Sequence, residues 1–170
     1  GMTAKVDIYK FLLELPKADL TNQEIEINRL NLDFSDFWIE TTSLEKPENP
    51  ITETEETTEF ALPDWTVTVN SISFKDNNIS YSENGAKPQK GVFNPSALQI
   101  RSFGLEVDGI SMKDDTVQMK LESLQFNETS GIDIKRVGFG LHFDQNKLSV
   151  SDIGMYINDN ILQGNILLEY

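Results

Sequence analysis

From Leu98 to Tyr170 apolar and polar residues alternate almost without pause, broken only by short clusters of Asp, Asn and Gly. A period of two marks a β-strand with one face turned from water and does not fit a helix of period 3.6. The breaks fall at Asp114-Asp115, Asn127 to Gly131, Asp144 to Asn146 and Asn158-Asp159-Asn160, residue types that accept turn geometry. The spacing predicts an antiparallel meander with short loops.

Upstream the pattern is less regular. Ile25, Ile27, Leu30, Leu32 and Phe34 predict a first strand at about 25–34, with one phase slip at Asn28-Arg29. Trp65, Val67, Val69, Ile72 and Phe74, followed by Ile79 and Tyr81, predict a hairpin turning at Asp76-Asn77-Asn78. Ile8, Phe11, Leu12 and Leu15 sit at i, i+3, i+4 and i+7, and with Val6 they predict one short amino-terminal α-helix, ended by Pro16. Ser82 to Pro95 contains Asn84-Gly85 and two prolines and reads as an irregular connection.

Between Thr41 and Glu59 stand six Glu, six Thr and two Pro with almost no large apolar residue. Such a segment buries too little to offset its ordering entropy, so 41–61 reads as an acidic flexible loop. The expected organisation is therefore helix and first strand in 1–40, loop in 41–61 and meander in 62–170, with the first strand joining the meander in one domain. The fold class is mainly β: a curved sheet, forming an open groove or a flattened sandwich, with the one short helix.

One sextet recurs: apolar, two polar or small residues, apolar, one polar residue or Gly, apolar. Its copies begin at Ile27, Val69, Ile100, Leu121, Ile134 and Val150. The two-residue step breaks strict alternation once, so each copy predicts a bulge or a corner. A loose pattern of this kind also arises by chance in a meander, and the irregular intervals argue against a rigid solenoid.

Fourteen Lys and Arg against twenty-eight Asp and Glu leave a formal charge of −14, which disfavours nucleic acid and anionic lipid headgroups as partners. There is no cysteine, hence no disulfide, thiolate metal site or cysteine nucleophile. No apolar run reaches eighteen residues and no basic-then-apolar leader is present. His142, the lone histidine, alternates with Leu141 and Phe143 and reads as a solvated strand residue. No G-x-S-x-G elbow appears, and no pair among the many carboxylates stands out for glycosidase chemistry. Asp114-Asp115, Asp144 and Asp159 read as turn residues and do not have the spacing of a calcium loop. Gly104, Gly109, Gly138 and Gly140 read as bulge positions, not a phosphate cradle. No catalytic, cofactor or metal site is expected, and an enzyme acting on carbohydrate or peptide ranks last.

The sextet copies, the strands joined by Asp/Asn turns and the segment LPDWTVTVNSISFKDNNISY at 62–81 together resemble the AsmA/TamB-like family of envelope proteins, in particular the amino-terminal part of Bacteroidetes-type TamB-like proteins. The likeness covers most of the chain, including IYKFLLELPKADL, and rests on pattern. It implies a periplasm-facing parent protein anchored in the inner membrane, whose repeated β-segments curl into a trough with an apolar interior that carries lipid or helps build the outer membrane. Adjacent repeats or an outer-membrane assembly partner would flank this segment. The resemblance brings no catalytic residue, and the acidic insertion departs from its pattern.

The stripe Phe74, Leu105, Phe126, Phe139, Leu141, Phe143, Met155 and Ile157 is the candidate functional surface. Closed in a sandwich it is only core; left open it forms a greasy surface for lipid acyl chains. A structural module whose sheet edges pair with neighbouring repeats or a partner is the second reading.

Overall fold

The computed structural model describes residues 1–42 and 64–170, so positions 43–61 of the expected acidic loop lie outside the described residues. The strands are β1 (Met2–Asp7), β2 (Lys10–Glu14), β3 (Lys17–Asp19), β4 (Glu24–Ile27), β5 (Arg29–Asp33), β6 (Asp36–Thr41), β7 (Thr66–Glu83), β8 (Ala97–Lys113), β9 (Thr116–Glu128), β10 (Asp133–Phe143), β11 (Lys147–Ile157) and β12 (Asn160–Glu169). All twelve belong to one open sheet, mostly antiparallel. All the strands lie in this one sheet, and its buried apolar side chains are few, Val69, Ala97, Val107, Leu121 and Ile134, so among the described residues no second layer packs on either face.

The expected meander is present from β8 to β12, with turns at the four Asp/Asn clusters. Asp114 and Asp115 both take positive φ, as a two-residue hairpin turn requires. The amino-terminal part is organised differently from expectation. Where a helix was expected over residues 6–15, the chain forms β1 and β2. Phe11, Leu13 and Leu15 also alternate, and a window this short carries both periods. What decides is pairing: β1 lies antiparallel to β6 and β2 to β5, with Met2 opposite Thr41 and Phe11 opposite Leu32. Such long-range pairing outweighs the marginal preference of a short isolated helix.

The expected first strand is split at its phase slip, Asn28, into β4 and β5. With β6 these form one broken line that runs parallel along β7 at a constant offset: each residue pairs with the one 42 positions later, from Glu24 with Thr66 to Thr41 with Glu83.

The expected hairpin at Asp76-Asn77-Asn78 is also overturned, because β7 continues through it as one strand of 18 residues. Asp76 does adopt the left-handed conformation that suits Asp in turns, but singly, so the strand bulges and does not reverse. Phe34, 42 positions earlier on the neighbouring line, has positive φ as well. The two irregularities thus lie side by side and the ladder resumes beyond them.

Asn77 fastens this break. It is 1% exposed, its Oδ1 accepts the Ser35 amide at 2.9 Å, and its Nδ2 donates to the Leu32 carbonyl at 2.9 Å. Those are backbone groups that the interrupted ladder leaves over, and burying them unpaired would be costly. Asn77→Ala is expected to lower stability in urea denaturation by about 1–3 kcal/mol, the cost of orphaned buried polar groups. A loss below about 0.5 kcal/mol, the range of an ordinary surface substitution, would show that water replaces the side chain freely.

Candidate functional site

Strand register assembles the apolar residues into rows that cross the sheet. The longest links Phe11, Leu32, Phe74, Leu105, Leu124, Val137, Met155 and Leu162, each directly opposite the next. A second links Ile27, Val69, Ile110, Met119, Leu141, Val150 and Ile166. Residues directly opposite each other share a face, so each row lies on one side of the sheet.

The rows share one face only because the phase slips are aligned. On β7 the chain passes from Val69 to Ile72 across Asn70-Ser71; on β8 it passes from Ile110 to Val107 across Gly109, whose φ is positive. Register shifts at the two-residue steps of the sextets follow on β8 at Ser102, on β9 at Glu122, on β10 near Lys135 and on β11 near Asp152. A bulge restores the face that a one-residue slip would invert. At three of the steps the polar pair stays outside, Asn28-Arg29, Arg101-Ser102 and Lys135-Arg136 all being exposed, whereas Glu122-Ser123 is half-buried.

The eight stripe residues are all half-buried and fall into several rows. Phe74, Leu105 and Met155 belong to the longest row, and Leu141 to the second. Phe139 lies opposite Leu121, Phe143 between Val117 and Leu148, and Phe126 and Ile157 both oppose Ile134. Sequence reasoning missed the deepest members: Val69, Val107 and Leu121 are 7% exposed and Ile134 9%. Their signal was present, since Val69, Leu121 and Ile134 each open a sextet. Burial this deep with no covering layer among the described residues requires side chains of adjacent strands to lean together, which the strong local twist at bulges favours.

Two polar side chains are buried within the face. Asn77 stands in line between Phe74 and Ile79 on β7, and Glu128, directly opposite Ile100, is 8% exposed. Burial would raise the Glu128 carboxyl pKa. Hydrogen bonds from Ser130, whose amide lies 2.7 Å from Oε2, and from the amides of Gln99 and Thr129 outweigh it and hold the group below its ordinary 4.5. The carboxylate closes the β9–β10 turn and is not turned toward a ligand.

The opposite face carries the charge. His142, opposite Gln118 and Ser149, bonds Asp144 at 2.8 Å. Asp144 also accepts the Asn146 and Lys147 amides, which, with His142, keep its pKa low, so the pair belongs to the β10–β11 turn. A hollow of about 690 Å³ on this face lies over Gly138 and Gly140, rimmed by Lys120, Arg136 and Tyr156. Crowding at the bulges accounts for these glycines: a Cβ on Gly138 would stand 3.0 Å from the Glu122 carbonyl oxygen, and one on Gly140 2.9 Å from Ser151 Oγ. Among the described residues no group of three His, Asp or Glu side chains could hold a metal ion, and no helix is long and apolar enough to cross a membrane.

Comparison with known proteins finds no matching family model, no similar curated protein and no similar solved structure.

Because the folded pKa of Glu128 is depressed, its contribution to stability is present above about pH 4.5, the unfolded value, and is lost as pH falls through the folded one. Nuclear magnetic resonance should place its titration midpoint below 4.5, with faster hydrogen exchange at the Ser130 amide once it protonates. A midpoint at or above that value would mean that burial dominates.

Proposed function

We propose that this chain is a non-catalytic segment of a cell-envelope protein of AsmA/TamB-like kind, working in lipid transport or outer-membrane assembly, and that its apolar face takes the acyl chains. One observation carries the reading: apolar rows span the whole sheet, and among the described residues no layer covers them. Acyl chains suit such a face because they need no fixed polar ligand, and each methylene taken from water contributes about 0.8 kcal/mol. The buried polar groups of Asn77 and Glu128 are engaged by backbone, which fits retention by apolar contact alone.

In this reading the charged face looks toward the aqueous periplasm and the headgroup remains in solvent. A net charge of −14 favours zwitterionic or neutral lipids over anionic ones. Adjacent repeats of the parent protein or an assembly partner would extend the surface, and the parent would be anchored in the inner membrane.

Native mass spectrometry of the purified chain, with solvent extraction, is expected to find stoichiometric phospholipid or fatty acid. Phe139→Asp or Leu141→Asp should abolish retention, as should Leu162→Asp at the 61%-exposed end of the longest row, where folding is least at risk. Gln118→Asp on the charged face should leave it unchanged. An apo mass for the wild type, together with no uptake of added phosphatidylcholine or palmitate, would overturn the proposal. So would full lipid retention in a folded Leu141→Asp variant.

A further inference from the structure

Trp38 stands on the charged face, where the strand pattern gives it no apolar company. Val6, Phe37, Ile79 and Ile100 link across the sheet on the row face, and Trp38, one position on from Phe37, points the other way. Its partners across the ladder are Lys5 and Ser80, and Asp36 and Glu40 flank it along β6. The Lys5 ammonium lies 4.6 Å from the ring centroid, a cation–π contact that holds the indole in place. An indole left 38% exposed among polar side chains contributes little to any core.

Hollows lie on both sides of the ring. One, of about 340 Å³, is bounded by Asp36, Asn78, Gln99 and Arg101. The other, of about 390 Å³, reaches Glu40 and the connection at Ala86 and Pro88, which is fastened where the Ser82 hydroxyl donates to the Ala86 carbonyl at 3.0 Å. The polar groups around the first are held in pairs: Asn78 Nδ2 donates to Asp36 Oδ1 at 2.8 Å, and Arg101 Nη2 and the Thr129 hydroxyl both donate to Gln99 Oε1 at 3.0 Å. This leaves Asp36 Oδ2 as an acceptor and the Gln99 amide and remaining Arg101 N–H groups as donors, on side chains whose planes are already set.

We propose that Trp38, with the Asp36–Asn78 and Gln99–Arg101 pairs, forms a binding site for a neutral saccharide, one pyranose ring stacking on the indole while its hydroxyls bond the paired side chains. A pyranose has a flat face of C–H groups and an equator of hydroxyls, each both donor and acceptor, which matches an aromatic ring bordered by fixed donors and acceptors. Charge disfavours the other stacking ligands. Lys5 and Arg101 are balanced by Asp36 and Glu40, so the site has no net charge to draw a phosphate or carboxylate, and the chain as a whole carries −14. A nucleotide is therefore repelled although its base can stack. With hollows on both sides of the ring, two or three linked sugars fit better than one. The site lies on the face opposite the apolar rows, so the inference does not depend on the acyl-chain reading.

Trp65 is the other tryptophan, so in a Trp65→Phe background the indole N–H resonance and the fluorescence report on Trp38 alone. Titration with maltotriose, cellotriose, chitotriose and mannotriose is expected to shift both signals with at least one of them, at a Kd of about 1 mM or tighter. In ligand-observed magnetic resonance Trp38→Ala should weaken that binding at least about ten-fold and Arg101→Ala about three- to ten-fold. Tyr156→Ala, an aromatic elsewhere on this face, should leave it unchanged, and inorganic phosphate should not compete. No shift of the Trp38 indole with any of the four sugars at about 20 mM would overturn the proposal. So would binding unchanged in a folded Trp38→Ala variant, or displacement of the sugar by phosphate.

Discussion

The whole sheet depends on keeping adjacent strands in phase. A strand presents alternate residues to alternate faces, so a single slip sends every later apolar side chain to the wrong side unless the geometry corrects it. Here nearly every strand slips, and the slips lie level with one another: Asn28 beside Asn70, Phe34 beside Asp76. A bulge inserts the residue that restores the face, and placing bulges side by side lets the cross-strand rows pass through without a gap. The side chain of Asn77 completes the correction by taking up the backbone groups freed where β5 gives way to β6.

That alignment is what allows a single layer to bury anything. With no second sheet among the described residues, the apolar side chains have only one another, and the deepest lie mid-sheet on β7 to β10, flanked on both sides by apolar neighbours. Exposure then rises toward the edges, reaching 61% at Leu162 and 55% at Phe11, the two ends of the longest row. Stability in such a fold is carried by ladder hydrogen bonds and same-face pairs between neighbours and not by a closed interior.

The carboxyl-terminal half was legible in the sequence because all its pairings are between consecutive strands and its turns use Asp and Asn for their own backbone preferences. The same preferences misled at Asp76-Asn77-Asn78, where one left-handed residue makes a bulge and two would have made a turn. The helix expected over Val6 to Leu15 failed for another reason: ten residues carry both periods, and the choice lies with distant partners in β5 and β6. The parallel pairing of β4–β6 with β7 has no local signal. It was nonetheless written in the repeat, since the sextets at Ile27 and Val69 start 42 positions apart, the register offset itself. The candidate surface was legible as a class of residue, but its rows were not, because register decides which strand positions meet. A sandwich was equally compatible with the alternation, and nothing in a period of two distinguishes one layer from two.

In the proposed reading, the face left uncovered among the described residues serves folding and lipid binding with the same residues. Phe139, opposite Leu121, and Leu141, between Met119 and Val150, pair with their neighbours on that face and remain half-buried. The longest apolar row crosses eight strands, and only its ends, Phe11 and Leu162, are exposed. Among the described residues the opposite face and the turns carry charged side chains such as Lys120, Arg136 and Asp144, which oppose aggregation without covering the rows. In the proposed reading, something apolar and without fixed shape, such as an acyl chain, takes the place that a second layer would occupy over the described strands.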